Sequence, residues 1–251
     1  MISVTLIFYG NLKDLLKKGL PQNGIIHHSL NRRASVKDVI ESFGVPHPEI
    51  QWLKINGQQL GFDSILQDKD KVEISPLTPP FDVFKVSILR PDPLEKIRFV
   101  VDVNVGKLAA LLRMAGFDTV YQNSLIDVDL ADIADQEKRV LLTKDCNLLK
   151  RKKVVFGHLV REIQPLRQFP EIINLFQLIK KMRPFSRCLL CNSLLKPVAK
   201  EDILHRLEPL TKKYYNSFQF CPECDKIYWP GSHRQKMQGY FHALTSKNEL
   251  I

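Results

Sequence analysis

Residues 2–8, Ile-Ser-Val-Thr-Leu-Ile-Phe, alternate in polarity and are rich in β-branched and aromatic side chains, and Gly10-Asn11 punctuates them as a turn. The pattern predicts a strand, and residues 25–30 are placed to pair with it as a hairpin. Val36, Val39, Ile40 and Phe43 then recur at helical spacing, with Ser35 suited to cap the start and Gly44 to stop the end. A strand near Trp52–Ile55 is closed by the tight-turn dipeptide Asn56-Gly57. Residues 66–74 supply a further turn and a last strand. The order is strand, strand, helix, strand, strand.

Five prolines, Pro76, Pro79, Pro80, Pro91 and Pro93, fall in residues 75–97. Proline has no amide donor and a fixed φ, so this stretch reads as a linker, with room for one short strand at Phe84–Leu89. The segment from Arg98 to Lys153 organises the remainder. A strand over Phe99–Val103 carries Asp102 near its end. A helix follows from Gly106 to Gly116, with Leu108, Leu111, Leu112 and Ala115 on one face and Gly116 at its C-terminal stop. Phe117–Tyr121 reads as a second strand, and Asp127 is placed to cap a helix bearing Leu130, Ile133 and Ala134. Val140–Thr143 is a third strand and leads to Asp145. Leu148 and Leu149 fit a short helical turn, and Val154–Val160 holds one or two strands. Ile172, Leu175, Phe176 and Ile179 predict an amphipathic helix ending near Met182. Alternating strands and helices imply a parallel sheet in an α/β domain. Ligands of such sheets bind outside the carboxyl ends of the strands, where Asp102 and Asp145 fall.

With 44% apolar and 25% charged residues, the 251-residue chain has the composition of a globular protein with packed cores. No apolar run reaches the roughly 18–20 residues that span a bilayer. The N-terminus lacks a basic region and a small-residue cleavage site, so it does not read as a signal peptide, and a cytoplasmic location is expected. The net charge of +10 points to a polyanion partner, the plain alternative being a basic protein kept soluble by its charge. Residues 1–80 hold nine basic and eight acidic side chains, so the excess lies further along the chain.

Asp102, Asp127 and Asp145 come from two strand ends and a helix start. Hydrolysis of a phosphodiester needs an activated water and charge compensation, which Mg²⁺ or Mn²⁺ held by converging carboxylates supplies. The plainer roles are helix caps for Asp127 and Asp102 and a solvated face for Asp129, Asp132 and Asp135, with Asp129 or Asp132 as auxiliaries if the acids do converge. Lys107 and Lys144, with the run Lys150, Arg151, Lys152 and Lys153, are candidate phosphate contacts. Cys188, Cys191, Cys221 and Cys224 form two CxxC pairs, the spacing of a closed structural Zn²⁺ site. Trp229, Tyr228 and Tyr240 can stack on bases or pack over the zinc knuckles.

Two resemblances sharpen these readings. The first 78 residues resemble ubiquitin and the small sulfur-carrier proteins, implying an α+β β-grasp fold. Carriers end in a free Gly-Gly, whereas here Ser75-Pro-Leu-Thr-Pro-Pro80 runs on, which favours a protein-interaction role. The segments RFVVDVNVGKLAALLRMAGFDT and VLLTKDCNLLKRKK, with Tyr-Trp-Pro-Gly-Ser-His233, look like the PIN-like RNase family first described at the C-terminus of the Mut-seven exonuclease. That resemblance implies a PIN-like three-layer sandwich, metal-dependent cleavage of RNA, and acidic positions falling on Asp102, Asp127 and Asp145. Cys146 departs from the family pattern, where a basic residue follows the last aspartate, so that contact is lost or falls to Lys144. The expected organisation is a ubiquitin-like domain over 1–78, a linker over 79–97, a PIN-like nuclease over 98–183 and a zinc ribbon over 184–251. The rival reading is a non-catalytic RNA-binding or ribosome-associated adaptor.

Overall fold

Strand β1 (Ile2–Phe8) buries Val4, Leu6 and Phe8 on one face, as its alternation requires. It pairs antiparallel with β2 (Ile25–Leu30) and parallel with β5 (Lys71–Pro76), after α1 (Val36–Ser42), β3 (Ile50–Ile55) and β4 (Gln58–Gln59). The sheet order is β2-β1-β5-β3-β4, a β-grasp with α1 contributing Val36, Val39 and Ile40 to its core. The Ser35 hydroxyl accepts from the Asp38 amide, the N-cap read from sequence. The computed structural model describes residues 1–248, so the last three positions of the expected ribbon segment lie outside the described residues.

The chain divides into two compact units that do not follow boundaries at 78, 97 and 183. The first holds Met1–Val105, Tyr121–Arg161 and Leu175–Gln177, so the β-grasp head and part of the α/β region are one body. The second holds Gly106–Val120, Glu162–Asn174 and the chain from Leu178 onward.

Within the first unit the proline-rich stretch is packed. Val83, Leu89 and Leu94 are buried, and the Leu94 amide donates to the Val83 carbonyl. The strand expected at Phe84–Leu89 is absent; a single bridge, Ser87 to Arg90, stands there. Strand β6 (Phe99–Val101) is shorter than expected because the chain turns at Asp102 into a 3₁₀ turn, Val103–Val105. Helix α2 (Gly106–Met114) and strand β7 (Thr119–Val120) belong to the second unit, and β7 covers only two of the five positions expected. Helix α3 (Asp127–Gln136), strand β8 (Val140–Thr143), helix α4 (Cys146–Leu149) and strand β9 (Gly157–Leu159) return to the first. β6, β8 and β9 are parallel, with Val101 opposite Leu142 and Thr143 opposite Leu159, and α3 packs on β6 and β8. Their apolar side chains are buried throughout, as expected of a parallel sheet.

Helix α5 (Pro165–Leu175) begins earlier and ends sooner than the apolar spacing suggested. Gln177 takes φ 51°, which stops the helix, and Ile179–Lys181 is a separate 3₁₀ turn. Gly116 takes φ 95°, and a β-carbon there would stand 2.3 Å from the Arg183 carbonyl oxygen, so only glycine fits. Strands β10 (Lys196–Val198), β11 (Phe218–Phe220) and β12 (Ile227–Tyr228) form an antiparallel sheet. Helices α6 (Lys200–Ile203) and α7 (Pro209–Tyr214) are inserted between β10 and β11. Ile203, Leu207 and Phe218 make their core. A 17-residue helix, α8 (Ser232–Asn248), ends the described chain.

Candidate active site and metal centre

Asp102 follows β6 and is only 7% exposed. Its Oδ2 accepts from the Thr143 hydroxyl at 2.6 Å and from Asn104 Nδ2 at 2.5 Å. Thr143 Oγ1 in turn accepts from the Asp145 amide at 2.9 Å. Asn104 Oδ1 accepts from the Lys144 amide at 3.0 Å, so the turns after β6 and β8 are laced together. Asp145 is the N-cap of α4, its Oδ1 accepting from the Asn147 and Leu148 amides. Among the described residues Asp102 Oδ1 and Asp145 Oδ2 accept no hydrogen bond, which leaves one oxygen on each carboxylate for a hard cation.

Asp127 stands on α3 and takes no part in that hydrogen-bond network among the described residues. It is the first residue of α3 rather than its cap; the capping is reversed, with Asp129 Oδ2 accepting from the Ile126 amide. Its half-exposed carboxylate faces Arg151 Nη2 at 3.8 Å. Asp132 pairs with Lys153 at 2.5 Å. Among the described residues the only group of three or more His, Cys, Asp and Glu with ligand atoms within 4.8 Å of one another is the four cysteines, so the three aspartates are not gathered that closely.

The basic run after α4 is thus split. Arg151 and Lys153 face acids of α3, while Lys150 and Lys152 make no ion pair among the described residues. Lys107 is exposed in the first turn of α2, in the second unit. Arg113, on α2, is buried, and its guanidinium donates to the carbonyls of Thr119, Leu189 and Leu190. Cys146 is half-buried, and burial pushes its thiol up, away from a reactive thiolate.

The cysteine site is two copies of one loop. The Asn192 amide donates to the Cys188 carbonyl and the Asp225 amide to that of Cys221. The Cys188 amide reaches Ser193 O, and the Cys221 amide reaches Lys226 O. Each loop closes on a left-handed residue, Asn192 at φ 71° and Asp225 at φ 56°, types that tolerate that conformation. Cys188 Sγ lies 3.4 Å from Cys224 Sγ, and Cys191 Sγ 3.2 Å from Cys221 Sγ. Burial opposes ionisation of Cys188, but donors from the Cys191 and Leu190 amides and the Tyr228 hydroxyl outweigh it and hold its thiol at about 6. Four sulfurs brought together fit a closed site for zinc, and His233 is not among them. Asn192 also ties the first knuckle to its unit, accepting from the Thr119 amide and donating to Asp118.

A family model described as Mut7-C RNAse domain matches residues 97–241, more than half of the 251 residues. The chain belongs to that family. A second model, Mut7-C ubiquitin, matches residues 1–82. No curated protein and no solved structure matches the chain. Membership of the Mut7-C family supports a nuclease-like function in general. No helix among the described residues is long and apolar enough to cross a membrane.

Sequence reasoning missed the supports of the candidate site in this Mut7-C chain and its joint to the head. Asn104 and Thr143 stood inside recognised motifs without a role. Glu49, from the head, is 2% exposed and accepts from the Leu159 amide. It pairs with His158 Nδ1 and Arg161 Nη2, each at 2.9 Å. Burial opposes its charge, yet His158, Arg161 and the Leu159 amide hold its carboxyl below the usual range. Arg90 is buried and donates to the Pro48 and Ile50 carbonyls, clamping the same joint. Tyr240, a candidate stacking residue, instead donates to the Leu166 carbonyl and packs on Phe169 and Phe241.

Proposed function

We propose that the chain is a metal-dependent ribonuclease that hydrolyses RNA phosphodiester bonds at the ends of β6 and β8. The observation that carries this reading is the Thr143 bridge from the Asp102 carboxylate to the Asp145 amide, which ties together two neighbouring strand ends whose acids each keep an oxygen without a hydrogen bond among the described residues. Asp102 and Asp145 would hold Mg²⁺ or Mn²⁺, with Asp127 as the third acid once it leaves Arg151. The metal supplies charge compensation at the phosphate and a water nucleophilic near neutral pH. Thr143 and Asn104 hold the Asp102 oxygen in place, and Lys144, Lys150 and Lys152, with Arg151 and Lys153 when released from α3, bind and orient the phosphate backbone. Lys107 is a further phosphate contact in this reading. Zn²⁺ in the cysteine site is structural, because four thiolates leave no open position. The β-grasp head serves as a protein-interaction surface.

The partner pairing of Asp127 with Arg151 favours one rival, a non-catalytic RNA-binding or ribosome-associated adaptor. Cleavage assays on single-stranded RNA, structured RNA and DNA with Mg²⁺ or Mn²⁺ decide between them. Cleavage of RNA that disappears in Asp102→Asn and Asp145→Asn, with unfolding curves unchanged, is the expected result. Undiminished cleavage by Asp102→Asn, or in the absence of divalent metal, overturns the proposal, and salt-sensitive RNA binding without cleavage supports the adaptor.

A further inference from the structure

Beside the cysteine knuckles the second unit forms a half-open cleft of about 460 Å³, lined among others by Phe185, Gln219, Lys226, Tyr228, Trp229 and Arg234. That is the size of a site for a small molecule or a single nucleotide-sized group. Its walls combine three features. The first is aromatic surface: Trp229 is 38% exposed, whereas Tyr228 is committed, its hydroxyl bonded to Cys188 Sγ and the Leu189 amide. The second is positive charge without a counterion. Lys226 makes no ion pair among the described residues, Arg234 lies with its guanidinium 4.6 Å from the Phe185 ring centre, and no carboxylate lines the cleft. The start of α8, at Ser232 and His233, adds a helix N-terminus with no acidic residue in its first turn. The third is an unmet acceptor: Gln219 Oε1 is buried and has no hydrogen-bond partner among the described residues.

An apolar ligand would leave the cations and Gln219 unused, and a bare phosphate would leave Trp229 and Gln219 unused. A nucleobase with its phosphate uses all three, because every base has a face to stack and an edge with polar atoms. We infer that this cleft binds one unpaired nucleotide of a single-stranded RNA. The base stacks on Trp229, its edge donates to Gln219, and its phosphate faces Lys226 and Arg234. The identity of the occupant rests on the ribonuclease reading, and the residues are other than those proposed for cleavage.

The test uses the full chain carrying Trp52→Phe, which leaves Trp229 as the sole tryptophan of the two in the sequence. Its emission should be quenched saturably by a single-stranded RNA oligomer and not by inorganic polyphosphate of equal charge. In the otherwise unaltered chain, Trp229→Ala and Arg234→Ala should each weaken binding of a labelled oligomer by roughly tenfold, while Trp229→Phe restores most of it. Zinc content and thermal unfolding of these variants should match the parent. No quenching by RNA, or equal quenching by polyphosphate, overturns the inference, as does parental RNA affinity in Trp229→Ala. Trp229-dependent binding without any cleavage would retain this site and remove the nuclease reading; cleavage without it would do the reverse.

Discussion

The Thr143 hydroxyl donates to Oδ2 of Asp102 across 2.6 Å, from one parallel strand end to its neighbour. The same oxygen accepts from the amide of Asp145, so one side chain holds both acids in register. Its single donor and two acceptor sites are all occupied, the latter by Asp145 and Asn104.

Thr143→Val keeps the shape and removes the bridge. Leaving the buried Asp102 and the Asp145 amide short of a partner should cost about 1–3 kcal/mol in urea unfolding. Under the proposed ribonuclease reading, loss of this support to Asp102 should also lower cleavage by about 10–100-fold, with Thr143→Ser recovering most of it.

Glu49→Ala strips the counterion from His158 and Arg161 at a buried joint. Removing one partner of such a cluster costs about 3–5 kcal/mol, far above a surface substitution, and urea unfolding of the full chain measures it.

The same carboxylate sets an acid limit. Its folded-state pKa lies below the ordinary 4.5, so the unfolded chain binds the proton more readily. The stabilisation is therefore complete above pH 4.5 and is lost as pH falls through the lower folded value. Unfolding free energy measured from pH 6 down to about pH 3 should fall more steeply in the parent than in Glu49→Gln.

Removing the metal from the cysteine site should melt the second unit locally. Purified protein should carry roughly one zinc ion per chain, and Cys191→Ser or a strong chelator should release it. Arg113 bonds the Leu189 and Leu190 carbonyls of the first knuckle, so hydrogen exchange in α2 should rise together with exchange in β10–β12.

Gly116→Ala places a β-carbon against the Arg183 carbonyl at a left-handed backbone position. The variant should lose more than about 1 kcal/mol, read as a lowered melting temperature with zinc content unchanged.

The head was legible because its strands alternate with period two and its turns carry Asn-Gly and Gly-Asn. The cysteine knuckles were legible because chelation dictates spacing. α8 was not: its polar sequence from 232 to 248 shows no apolar stripe, and only Met237 and Phe241 of its described side chains are buried apolar groups. α5 was misplaced at its end because Gln177 adopts a left-handed conformation that no local signal marks. Asp102 and Asp145 stand at strand ends, where the pattern put them, while Arg151, which faces Asp127, looked like one more member of a basic run. Glu49 sat in a proline-flanked turn as an ordinary acid. Its partners follow 109 and 112 positions later, beyond the reach of any periodicity.

That distant pairing bears on how the molecule can be dissected. A fragment beginning near residue 97 would still fold β9 into its sheet, but it would carry an imidazole and a guanidinium whose acid had been cut away. Such a fragment should express poorly or aggregate, and a silent nuclease obtained that way would report on the missing head rather than on the chemistry.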